Sequence, residues 1–75
     1  MSRSLAASVD RNVGYRIRAF RVGVGISLAQ LASDVGVNVS ELENWERGVA
    51  RPSPRHLFAC ATSLKVHVGE FFGNF

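Results

Sequence analysis

Four side chains in the stretch NVSELENWERG, Asn38 to Gly48, have the chemistry to tell one base edge from another. An asparagine amide can pair bidentately with adenine, a serine hydroxyl adapts to donors and acceptors, a valine methyl can touch thymine, and a glutamate can accept from cytosine N4. Here these are Asn44, Ser40, Val39 and Glu43, and on a helical wheel they share one face with Arg47. The competing reading of such a face is a merely solvated polar surface. The same stretch holds three acids, Glu41, Glu43 and Glu46, in a chain whose formal net charge is +3. A helix meant for a polyanion should not carry them unless each has another role.

Other reactive chemistry is sparse. His56 and Cys60 lie four apart, a spacing that can hold a metal from one helix, but two ligands do not make a site and His67 lies beyond a turn. Cys60 reads instead as a small packed residue. Neither a metal nor any other cofactor is expected. No Ser/His/Asp grouping or carboxylate pair stands in a pocket-forming context, and GVG at 23–25 lacks the strand and spacing of a phosphate loop. Seventy-five residues are also too few for most enzymes, so an enzyme is not expected.

The elements that must hold the polar face follow from helix punctuation. Asp10 can cap a first helix with Val13, Ile17 and Phe20 as its apolar stripe, and Gly23 and Gly25 end it. Ser27 and Gln30 form a capping box for a second helix, with Leu28, Leu31, Ala32 and Val35 as its apolar positions and Gly36 as its stop. Asn38, with Glu41 at the third helical position, opens a third helix with Leu42 and Trp45 facing inward and Gly48 at its end. Ser53-Pro54 caps a fourth, striped by Leu57, Ala61 and Leu64, and a short fifth runs roughly from Val68 to Phe72. Helices two and three are joined only by Gly36-Val37, which forces a sharp crossing and leaves the later helix protruding, able to enter a major groove.

Charge divides along the same lines. Residues 1–26 carry five arginines against Asp10, net +4; residues 27–47 are net −3; residues 48–75 are net +2. Two basic segments flank an acidic middle, which with an isoelectric point near 10.0 makes an anionic partner plausible. The length allows one domain, read as residues 9–75, after a flexible arm at 1–8 in which Arg3 stands; Arg11 can serve with it. Cys60 is the only cysteine, and MSRSLAASV has no apolar signal region, so a reducing cytoplasm is expected. Val68, Phe71, Phe72 and Phe75 crowd the chain end beyond what so small a core readily buries, and are read as a homodimer interface.

The landmarks RIRAFR (Arg16–Arg21), SLAQLASDVGV (Ser27–Val37), the WERG that ends helix three, RPSPRHL (Arg51–Leu57) and SLKVHVGEFF (Ser63–Phe72) occur in a telling order and spacing. From about Val9 to Phe72 the chain resembles the Cro/cI-like, or XRE-family, helix-turn-helix regulators of bacteria and their phages. The resemblance implies an all-α, compact five-helix, lambda-repressor-like domain that binds double-stranded DNA as a homodimer on an inverted-repeat operator. It implies that Val39, Ser40 and Asn44 face the groove, with Glu43 and Arg47 at its margins. Arg47, Arg51 and Arg55 would touch the backbone, beside phosphate sites at the helix caps Ser27 and Asn38. It further implies a partly buried pair between Arg21 and Glu46, which removes one of the three acids from the puzzle. The chain departs from the family at Leu28, where a phosphate-reaching glutamine is frequent. Leu28 and the acidic middle support the competing expectation of an antirepressor or antitoxin-like protein that binds a second regulatory protein.

Overall fold

The computed structural model describes residues 5–73, with side chains from residue 11 onward. Four α-helices follow one another: α1 Leu5–Val24, α2 Leu28–Val35, α3 Val39–Glu46 and α4 Pro54–Leu64. A 3-10 turn, Val68–Phe71, stands where a fifth helix was expected. Gly69 and the half-buried Val68 give this segment little helix propensity, and a single tight turn suffices to drop Phe71 into the core. Asp10 does not cap α1 but lies within it, since the helix already begins at Leu5; residues 5–8, read as part of an arm, have helical backbone. Arg3 and Phe75 fall outside the described residues.

Each later helix start uses a side chain to satisfy an orphan amide. Ser27 Oγ accepts from the Gln30 N–H at 3.0 Å, Asn38 Oδ1 from the Glu41 N–H at 2.8 Å, and Ser53 Oγ from the His56 N–H at 3.3 Å. The box expected at Ser27 is completed on one side only. Gln30 turns forward and donates to Asp34 Oδ1 at 2.9 Å, one helical turn on, and does not reach back. Gly36, at φ 87°, lets its own N–H and that of Val37 both return to the Ala32 carbonyl, closing α2 in a Schellman-like stop. Three residues then separate α2 from α3.

The core draws on every element: Val13 and Ile17 from α1, Leu31 and Ala32 from α2, Leu42 and Trp45 from α3, Leu57, Cys60, Ala61 and Leu64 from α4, and Phe71 from the turn. Phe71 meets Phe20 edge to face, with ring centroids 5.9 Å apart. Its expected place at a dimer interface is therefore corrected: it is fully buried within one chain. Val68 packs half-buried against the same core, and Phe72 alone of the described trio is exposed, at 37%.

One close approach was not foreseen. At Gly14, buried on α1, an added Cβ would collide with the carbonyl oxygen of Trp45 and come within 3.1 Å of that of Glu46. The backbones of α1 and the end of α3 touch there, with no room for a methyl group. Gly14→Ala should therefore lower stability by about 2 kcal/mol, as overpacking of a closed contact does. Gly23, also on α1 but with open space around its Cα, should behave oppositely, Gly23→Ala gaining roughly 0.5–1 kcal/mol from helix propensity. Urea unfolding midpoints of the two variants test the contrast in sign.

Candidate nucleic-acid interface

The arrangement of α3 depends on an ion pair behind it. Arg21 Nε donates to Glu46 Oε2 at 2.7 Å and Arg21 Nη2 donates to Glu46 Oε1 at 3.0 Å, a two-pronged geometry that fixes both side chains. The third nitrogen, Nη1, donates to the carbonyl of Ile26 at 3.1 Å, just ahead of the α2 cap. One guanidinium thus joins the end of α1, the entry to α2 and the last turn of α3. The pair is largely shielded, its side chains 13% and 5% exposed. The hydrogen bond that Arg21 donates to Glu46 holds it more firmly protonated than an ordinary arginine; burial opposes this and the charge of Glu46 adds to it.

With Leu42, Trp45 and Glu46 turned inward, the opposite side of α3 is settled. Val39, Ser40, Glu43 and Arg47 are exposed there and Asn44 is half-buried, so the five residues of the expected face do lie together. The Asn44 carbonyl accepts from the N–H groups of Val49, at 2.9 Å, and Ala50, at 3.3 Å. The loop after α3 is thereby folded back onto the helix that carries the face. Gly48 makes this reversal at φ 75°, with the Arg11 backbone against it at 3.0 Å from where a Cβ would sit. Exposed Arg47 and Arg51 flank this loop, and exposed Arg55 follows in the first turn of α4. Val49 projects from the loop as well, 65% exposed, a neighbour of the face that its sequence position alone did not mark.

Ser27 and Asn38 are exposed, and each spends an oxygen lone pair on its cap. The hydroxyl hydrogen and the amide NH2 group are not consumed by that role. Of the acids, Glu41 sits in the first turn of α3, where the positive helix end favours it. Leu28, the departure noted on α2, packs partly buried against the core.

His56 and Cys60 serve packing. The His56 ring lies against Trp45, centroids 5.2 Å apart, with Nδ1 3.1 Å from Ser53 Oγ. Cys60 is fully buried, and that burial, assisted by the nearby charge of Glu46, pushes its thiol up to about 12. Among the described residues no three His, Cys, Asp or Glu side chains are grouped to hold a metal. No described helix is long and apolar enough to cross a membrane.

Comparison with known proteins adds three findings. A helix-turn-helix family model matches residues 17–71. An uncharacterized transcriptional regulator in the ATPase CF(0) region of Rhodospirillum rubrum is 33% identical over 66 residues, 88% of this chain and 61% of that protein, so the chain spans about three-fifths of its relative's length. Among solved structures, the restriction-modification controller protein C.AhdI of Aeromonas hydrophila superposes with a TM-score of 0.79 at 31% identity, over 83% of this chain and 94% of that one. The P22 c2 repressor, solved in complex with a synthetic operator, gives 0.76 at 31% identity, over 81% and 92%.

Two outcomes follow from the buried groups. Arg21→Ala should cost about 3–5 kcal/mol by stranding the Glu46 carboxylate, whereas Arg21→Met combined with Glu46→Leu should recover most of that loss. Thermal melts of both variants measure it, and equal destabilisation would contradict the stranded-charge origin. For Cys60, the folded thiol titrates above its ordinary value of 9.0, so its contribution is present below that pH and is lost as pH rises toward 12. By pH 10 the loss should reach about 1 kcal/mol. Urea melts at pH 7 and pH 10 should show it, with a shallower pH dependence in Cys60→Ala.

Proposed function

Because the chain belongs to the Cro/cI-like helix-turn-helix family, we propose that it is a transcriptional regulator that binds double-stranded DNA as a homodimer on an inverted-repeat operator. The observation that carries this reading is the sorting of α3: Arg21 takes up Glu46 from behind, and the outward side is left to Val39, Ser40, Glu43, Asn44 and Arg47. Val39, Ser40, Glu43 and Asn44 read base edges in the major groove. Arg47, Arg51 and Arg55, with the capped amide ends at Ser27 and Asn38, hold phosphates and set the register of the helix. In the dimer the two copies of α3 stand about one helical turn, roughly 34 Å, apart. Exposed Phe72, together with Phe58 of α4, which is 61% exposed, offers the apolar surface for self-association in place of the buried Phe71. Binding a second regulatory protein is the rival reading. Leu28, packed partly buried against the core, favours it less, and the acids remain its main support.

Selection of bound duplexes from a random-sequence pool by the purified protein should return an inverted repeat. Against that site, Asn44→Ala should lose about 10–100-fold at one base position per half-site, the value of a bidentate contact. Arg55→Ala should weaken all duplexes alike and lower the slope of log affinity against log salt by about 1. An enriched motif without two-fold symmetry would refute the homodimer, and no enrichment would refute sequence-specific binding.

A further inference from the structure

The acids of the chain's middle have separate fates, and Glu43 is the one left over. Glu46 is held by Arg21, Asp34 receives the Gln30 amide, and Glu41 lies in the first turn of α3. Glu43 is exposed, and its carboxylate has neither a hydrogen bond nor an ion pair among the described residues. It stands one turn after Val39 and one turn before Arg47, beside Asn44, on the face proposed to read bases. A carboxylate brought unpaired to a duplex meets phosphates and a groove rich in acceptors, and loses water without replacement. Only an exposed amino donor relieves it. Adenine offers one, but with the N7 acceptor beside it; guanine offers O6 and N7, and thymine offers O4. Cytosine alone presents a major-groove donor with no acceptor on the same base.

We propose that Glu43 sets specificity by rejection: it admits operators with a cytosine at one position of each half-site and penalises every duplex that lacks it. The proposal rests on the DNA-binding reading and gives that site its substrate class. A group that is costly in the wrong complex widens the gap between right and wrong partners. The chain can carry such a group because Arg47, Arg51 and Arg55 flank the face and supply sequence-independent attraction.

The test begins with the duplex selected by the wild-type protein, in which each cytosine is replaced in turn by thymine and by 5-methylcytosine. The two substitutes share a methyl group, and only the latter keeps the amino donor. Thymine at one position per half-site should reduce wild-type affinity about 10–100-fold, and 5-methylcytosine less than about threefold. Glu43→Ala should bind the cytosine and thymine duplexes within threefold of each other and bind unrelated duplexes more tightly than the wild type does. Glu41→Gln removes the same charge from the same helix, and should strengthen all duplexes evenly while keeping the cytosine preference. A circular-dichroism melt of Glu43→Ala matching the wild type would show that the fold is intact. The proposal is overturned if no position distinguishes thymine from 5-methylcytosine, or if Glu43→Ala keeps the wild-type preference. A pool that yields no enriched duplex overturns the DNA-binding reading and this inference together, whereas an enriched operator indifferent to cytosine overturns this inference alone.

Discussion

A single guanidinium decides where the outer face of α3 points. Arg21 reaches the last turn of α3 through both oxygens of Glu46, and its remaining nitrogen holds the carbonyl that precedes α2. The two helices of the helix-turn-helix are thereby referred to one point on α1. Eight residues of α3 form too short a segment to be stable alone, so its rotation about its own axis must be set from outside. Leu42 and Trp45 supply the apolar anchorage, which is tolerant of small rotations. The paired hydrogen bonds are not tolerant, because they need both distance and direction. Net stability is not the main return on such a buried pair; a unique orientation of the helix is.

The close contact at Gly14 works with the pair. Main chain touches main chain where α1 passes the carbonyls of Trp45 and Glu46, which brings the axis of α1 near enough for Arg21 to reach across. A small domain has little area to bury and must use its few contacts well. Here the saving is made by combining the core and the site: Trp45 fills the interior from α3 and also carries the His56 ring at the start of α4. The proposed recognition face and the loop arginines accordingly rest on the same few buried side chains.

Much of this was legible in the chain, for identifiable reasons. Ser27, Asn38 and Ser53 announced their helices because cap chemistry is local, and Ile17, Leu31, Leu42 and Leu64 announced the core because helical period is local too. The Arg21–Glu46 pair joins residues 25 apart, and only the resemblance to a family singled it out. What escaped depends on contacts between distant segments. Nothing near Gly14 in the sequence tells that another helix's carbonyls lie against it. Phe71 and Phe72 are the same residue side by side, and the geometry of a tight 3-10 turn, not their type, sends one inward and the other toward solvent. The start of α1 was misplaced because Asp10, a residue suited to capping, lies inside a helix that begins five residues earlier.

The hydrogen bonds that tie the loop after α3 to Asn44 end on its carbonyl oxygen, which every amino acid possesses. The side chain at that position can therefore change without releasing the loop or moving the arginines around it. Val39, Ser40 and Glu43 are exposed and free to vary in the same way. In the proposed DNA-binding role, mutation could thus rewrite the address that this surface reads while the grip on the sugar-phosphate chain is inherited unchanged. On that proposed function, a duplicated copy of the gene would begin its divergence already able to hold DNA, and a few substitutions on one helical face would give it a new set of targets.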